Sequence, residues 1–157
     1  MTIKIGLIGC GGHGRQRLSK ILNNFQDFVS LVACSDTNIL AAKATASEHG
    51  YLKAYDNYMD MLKKEDLNAA VIALPHDLLK SASISALNAG LDVFVEKPAG
   101  VDSEEILEII NIEKKVNKSV MVGYCMRYNP ARKKLKELLD SKSVGDIIQI
   151  HGHKSGS

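Results

Sequence analysis

The sequence predicts an α/β protein built on a doubly wound parallel sheet. Short runs of Val, Ile, Leu and Ala recur along the chain, and each is followed by a longer helical pattern. Strands that read as near-continuous apolar runs are buried on both faces, as in a parallel sheet. Alternating strands and helices with right-handed crossovers wind such a sheet in both directions. The third observation is the spacing Gly9-x-Gly11-x-x-Gly14, set between the first apolar run and the first helical pattern. Only in that strand–turn–helix context does the spacing carry a mechanism.

The elements follow in order. Residues 3–8 form the first strand and 13–24 its helix, with Leu18, Ile21 and Leu22 supplying the apolar stripe. Residues 31–35 are the second strand, and an alanine-rich helix over 39–48 is ended by Gly50. A short helix at 57–63 precedes the third strand at 69–74. The helix at 77–88 stops at Gly90, and 91–96 is strand four. A helix over 103–117 leads to strand five at 119–124. The tail breaks the alternation: Pro130 opens a helix to 141, Ser143 to Asp146 is a turn, and 146–152 alternates as a last strand. Residues 1–124 are thus expected to form one domain, and 125–157 a linking helix and the first strand of a second α/β domain that the sequence does not complete.

At 157 residues the chain is large enough to bury a core without disulfides or metal. A net charge of +2 implies no polyanionic partner. The basic stretch Arg132-Lys133-Lys134 with Lys136 is offset by Glu137 and Asp140 and reads as the wet face of a helix, not a nucleic-acid surface. Cys10, Cys34 and Cys125 have no metal-ligand spacing and each lies in or beside an apolar run, so all three are expected to be small buried hydrophobes in a reducing compartment. No metal site is expected. There is no signal-peptide pattern and no apolar stretch of bilayer length, so a cytoplasmic protein with no membrane partner is expected.

The glycine spacing has a defined use. Gly9 permits a sharp turn, Gly11 lets the backbone approach a pyrophosphate, and Gly14 lets the helix pack close to the strand. The helix amides then face the phosphates. Asp36 stands at the end of strand two, about 20 residues further on, where a carboxylate accepts hydrogen bonds from an adenosine ribose. The neighbours Thr37 and Asn38 bring no arginine to meet a 2′-phosphate, so NAD is expected over NADP. The alternative is a glycine turn that only packs strand on helix, with Asp36 as a helix cap. A second cluster, Glu96-Lys97-Pro98, ends strand four. Ligands of open parallel sheets bind beyond the carboxyl ends of strands, where strand order reverses. With strands one and four flanking that point, Lys97 would enter the crevice opposite the glycine loop. An ammonium there stabilises alkoxide charge as hydride leaves, or relays a proton. The alternative is a solvated lysine before a turn-forming proline.

The glycine loop, the acidic end of strand two, Ala86-Leu-Asn-Ala-Gly90 leading into Glu96-Lys97-Pro98, and Gly123-Tyr-Cys-Met-Arg127-Tyr-Asn-Pro130 occur in that order. Together they resemble the glucose–fructose oxidoreductase, inositol dehydrogenase and rhizopine-catabolism (Gfo/Idh/MocA) family over essentially the whole chain. The resemblance implies a Rossmann domain joined to a C-terminal α/β domain whose large sheet forms a homo-oligomer interface. It implies NAD(P)-dependent oxidation or reduction of a sugar, polyol or derivative. It implies that Gly9, Gly11, Gly12, His13 and Gly14 hold the pyrophosphate and that Asp36 binds the ribose. Leu74 and Pro75 would line the cofactor cleft, with Glu96 and Lys97 near the nicotinamide and Lys97 as the catalytic-site lysine, before a proline bond that is often cis. Two departures stand out. The family often has a histidine four residues after the cleft proline, where this chain has Leu79; His76 directly follows Pro75 and reads either as a ribose contact or as a helix-start residue facing water. The family's catalytic aspartate and histidine would lie beyond Ser157, and His151 and His153 do not match them.

The favoured reading is therefore the cofactor-binding part of a sugar or polyol dehydrogenase. The alternative is a regulatory module that binds NAD(H) without chemistry. A methyltransferase binding S-adenosylmethionine is argued against by the glycine loop together with Glu96-Lys97-Pro98.

Overall fold

A computed structural model describes residues 2–153. The chain divides after Gly123 into two compact units. The first holds a six-stranded, wholly parallel sheet in the order β3-β2-β1-β4-β5-β6. Its strands are β1 (Ile3–Ile8), β2 (Val29–Ser35), β3 (Lys53–Tyr55), β4 (Ala69–Ile72), β5 (Asp92–Val95) and β6 (Val120–Val122). The helices between them are α1 (Lys20–Leu22, within a longer helical run), α2 (Ile39–His49), α3 (Tyr58–Lys64), α4 (His76–Asn88) and α5 (Ser103–Val116).

The period-2 geometry of a strand sends successive side chains to opposite faces, so each strand feeds two cores. On one face Ile8, Ile72, Val93 and Val95 pack with Leu79 and Met61. On the other, Ile5, Leu7, Leu31 and Val71 pack with Ala42 and Tyr51. Fully burying a side chain of the size of Leu79 or Ile72 contributes roughly 1.5–3 kcal/mol, which is why the continuous apolar runs become interior strands. The helices are capped by residues next to them in sequence. Asn38, Asn57 and Asp102 each accept a hydrogen bond from a first-turn amide of α2, α3 and α5 respectively, and Gly50 ends α2 in the left-handed region at φ +83°.

The structure differs from the sequence reading at five places. Strand β3 was not expected. Lys53-Ala-Tyr55 is no apolar run, and its place is fixed by pairing to Ala33–Ser35 and by Glu65, which accepts hydrogen bonds from Lys53 Nζ (2.8 Å) and from the Tyr55 hydroxyl. Burial pushes the Glu65 carboxyl up, but these two donors outweigh it and hold it below the usual carboxylate range. A sixth strand also renumbers the sheet. Order reverses between β1 and β4, so Glu96 and Lys97 follow β5, one strand further out than expected.

The first helix is composite instead of one α-helix. Gly14–Ser19 is π-helical, Lys20–Leu22 α-helical and Asn23–Phe25 a 3-10 turn. The Ser19 hydroxyl donates to the Gly14 carbonyl (3.0 Å) five residues back and lies 3.1 Å from the Tyr51 hydroxyl. This wide turn buries Ser19 and leaves Ile21 half exposed.

The expected last strand at 146–152 does not form. A strand needs a neighbour to satisfy its backbone, and among the described residues none pairs with it; Ile148 is 99% exposed. The second unit instead consists of a 3-10 turn, Cys125–Tyr128, and α6 (Pro130–Asp140). Pro130 opens α6, and the Asn129 side chain accepts from the amides of Ala131 and Arg132. Cys125 is exposed, unlike buried Cys10 and Cys34, because it lies in that turn and not in β6. All six strands end by Val122. Deleting the residues after Ser143 is therefore expected to change the stability of the first unit by no more than about 0.5 kcal/mol, as neutral surface changes do, checked by thermal unfolding followed by circular dichroism. Loss of the cooperative transition would place the boundary elsewhere.

Candidate functional site

Three strands deliver the site from their carboxyl ends. Gly9 follows β1, Asp36 follows β2, and Leu74-Pro75 lie just beyond β4. Gly9 adopts φ +96°, and a Cβ there would sit 2.2 Å from the Ala73 carbonyl oxygen. A Cβ on Gly14 would sit 2.0 Å from the Gly9 carbonyl oxygen. These two glycines are demanded by the fold itself: loop, helix and β4 meet backbone to backbone. Gly11 and Gly12 differ. Nothing lies within 4 Å of a Cβ at either, so a bare, exposed stretch of backbone is presented.

A cleft of about 510 Å³ opens over these ends, and Gly9, Gly11, Asp36, Leu74 and Pro75 all line it. Asp36 is anchored: Oδ2 accepts from the Cys10 amide (2.8 Å) and Oδ1 from the Asn38 amide (2.9 Å). Each carboxylate oxygen retains acceptor capacity for a hydroxyl. Beside it Ser35 is buried, and its Oγ has no hydrogen-bond partner. A buried hydroxyl without a partner is costly unless a ligand supplies one. Bare glycine backbone, an anchored carboxylate and an orphaned hydroxyl in one cleft fit a dinucleotide that brings phosphates and a ribose.

The cleft also has walls that the sequence reading missed. Asp56 and Asn57 come from the turn after β3, Tyr58 from the start of α3, and Leu78 and Ser81 from α4. The signal for the first three was the Asn57 cap two residues after Tyr55. His76 is the exposed first residue of α4 and does not line the cleft, and Leu79, in place of the family's histidine, is fully buried in the core.

Gly12, His13, Glu96 and Lys97 lie outside this lining. His13 Nε2 is 2.8 Å from Glu96 Oε1, so the glycine loop and the end of β5 are joined directly. Gly123 leaves the room: a Cβ there would come within 3.1 Å of Glu96 Oε1. The Lys97 amide donates to Glu96 Oε2 (3.2 Å), and the Lys97–Pro98 bond is cis. The Lys97 residue is exposed, and its ammonium pairs with no carboxylate among the described residues. Among those residues no helix is long and apolar enough to cross a membrane.

Residues 3–124 match the family model described as "Oxidoreductase family, NAD-binding Rossmann fold". The chain is 31% identical over 156 residues to an inositol 2-dehydrogenase of Salmonella paratyphi B, an alignment covering 97% of this chain and 46% of that protein. The crystal structure of myo-inositol 2-dehydrogenase from Lactobacillus plantarum is similar with TM-score 0.86 and 32% identity, over 94% of this chain and 44% of that one. Scyllo-inositol dehydrogenase from Lactobacillus casei, solved with NAD(H) and scyllo-inositol, is similar with TM-score 0.80 and 29% identity, over 93% and 43%. The chain thus spans about half the length of the curated relatives it matches.

Proposed function

Since the chain belongs to the Gfo/Idh/MocA oxidoreductase family with an NAD-binding Rossmann fold, we propose that it supplies the cofactor half of a dehydrogenase that moves hydride between NAD and a sugar or polyol. The observation that carries this reading is the cleft where the Gly11 backbone, the Asp36 carboxylate and Leu74-Pro75 converge. In this reading Gly9, Gly11, Gly12, His13 and Gly14 hold the pyrophosphate from the end of β1, and Asp36 takes the adenosine ribose. Leu74 and Pro75 line the adenosine side, with the orphaned Ser35 hydroxyl near them. Glu96 and Lys97 serve the nicotinamide end, Glu96 held by His13 and Lys97 acting on the substrate hydroxyl. His76, the exposed first residue of α4, is kept in this reading as a contact for the cofactor ribose. NAD supplies the hydride acceptor; the chain's own groups bind, orient and exclude water.

Inositols are the substrates that the related dehydrogenases suggest. In this reading residues 125–157 lead into a second domain that closes over the nicotinamide, carries the substrate pocket and pairs subunits. The enzyme works in the cytoplasm, in keeping with the free Cys10 and Cys34. A purely regulatory NAD(H) sensor is not favoured, because the named relatives are dehydrogenases.

Calorimetric titration of NADH and NADPH tests the reading. NADH is expected to bind more tightly, since a carboxylate at the 2′-position attracts a hydroxyl and repels a phosphate. Asp36→Ala narrows the gap mainly by weakening NADH. Because Asp36 also anchors the Cys10 and Asn38 amides, Asp36→Asn separates the loss of charge from the loss of the anchor. Equal or tighter NADPH binding by the unaltered chain would sink the assignment of Asp36.

A further inference from the structure

The turn after β3 brings a second carboxylate to the cleft. Ser35 and Tyr55 are register partners in the parallel ladder, and the Asp36 amide donates to the Tyr55 carbonyl (3.1 Å). Asp36 and Asp56 are therefore the next residues in step, on chains about 4.8 Å apart. Both line the same cleft, together with Thr37 and the buried Ser35, whose hydroxyl has no partner.

The two carboxylates differ in what they already do. Asp36 spends one acceptor site per oxygen on backbone amides, whereas the Asp56 side chain is exposed and makes no hydrogen bond or ion pair to the described residues. Its place is nevertheless fixed. The Asn57 side chain caps α3 by accepting from the Met59 amide (2.9 Å), and Tyr55 on the other side is held by Glu65. A charged group held at a cleft wall without a partner inside the protein is available to a ligand.

We propose that Asp56 is a second specificity-determining residue, which with Asp36 forms a two-carboxylate seat for a vicinal diol and excludes a ribose 2′-phosphate. The inference rests on the dinucleotide reading of the cleft. In it Asp36 is the anchored acceptor. Asp56 adds a second negative charge from the neighbouring chain of the ladder, so a 2′-phosphate meets two carboxylates instead of one. Neither Ser35 nor Thr37 brings a compensating cation to this part of the cleft. Discrimination by like charge is built against the wrong ligand and costs the right one little.

The test is the ratio of NADPH to NADH dissociation constants in the 157-residue chain and in Asp56→Asn, measured at low and high salt. Asp56→Asn removes the charge, keeps the shape and touches no internal partner, so the fold is retained; circular dichroism checks this. The ratio is expected to fall about tenfold, the size of one carboxylate facing a phosphate in a partly wet cleft. The fall should come mostly from tighter NADPH binding. Raising ionic strength should shrink the preference of the unaltered chain more than that of the variant, because repulsion between exposed charges is screened. A role of Asp56 in the turn alone would not move the salt dependence. An unchanged ratio beside good NADH binding overturns the role of Asp56 and leaves the dinucleotide reading standing. Binding of neither cofactor by the unaltered chain overturns both.

Discussion

Gly9→Ala is expected to destabilise the first unit by roughly 2–5 kcal/mol and to abolish dinucleotide binding. Two costs combine. The alanine must hold φ near +96°, and its Cβ would lie 2.2 Å from the Ala73 carbonyl oxygen. That neighbour is main chain of the segment between β4 and α4 and cannot turn aside as a side chain would. For a chain of this size the thermal midpoint should drop by about 5–15 °C. Gly11→Ala supplies the contrast, since nothing lies within 4 Å of its added methyl. Its midpoint should stay close to that of the unaltered chain while NADH affinity falls at least tenfold, because the methyl occupies the space the pyrophosphate needs. Equal stability losses in the two variants would mean that the loop is not divided between fold and ligand.

Lys97→Ala is expected to lower turnover by about two to four powers of ten in the protein that carries both halves, with NADH affinity changed less than threefold or so. Lys97 follows β5, is exposed, and its ammonium pairs with no carboxylate among the described residues, so its removal leaves the fold without a buried vacancy. Residues 1–157 alone should bind NAD(H) and show no measurable oxidation of inositols or simple sugars. Holding the alcohol carbon against the nicotinamide supplies roughly 7–11 kcal/mol of the barrier, and one lysine at the end of a strand cannot do that. Stopped-flow and steady-state assays on both forms check the pair of expectations. Robust turnover by residues 1–157 would refute the division of labour and move the search for a base to His76 or the tail histidines.

The parts of the fold legible in the sequence were those with a local cause. Continuous apolar runs gave β1, β2, β4, β5 and β6, and Gly50, Gly90 and Pro130 gave helix ends, because each signal lies within a few residues of its effect. What was missed depended on distant partners. Lys53-Ala-Tyr55 becomes a strand through β2 and Glu65, and with it went unnoticed the turn that carries Asp56, Asn57 and Tyr58 into the cleft. Residues 146–152 carry a strand pattern, but among the described residues no neighbour completes it. The π-helical turn was invisible because an α-helical stripe through Leu18, Ile21 and Leu22 assumes a pitch that the Ser19 to Gly14 bond widens. In the site, the loop glycines, Asp36, Leu74 and Pro75 could be named from spacing and likeness. The bond from His13 to Glu96 could not, since 83 residues separate its ends.

The two outermost strands of the sheet, β3 and β6, are only three residues long. An exposed edge is a template on which another chain can add a strand, and its reach scales with its length. Here one border carries a lysine tied back to Glu65, and the other ends at Val122, with Gly123 already donating to the Val95 carbonyl. Neither offers a foreign strand more than a brief foothold. Association of two copies edge to edge through these borders is therefore expected to be weak, although the interior strands are apolar.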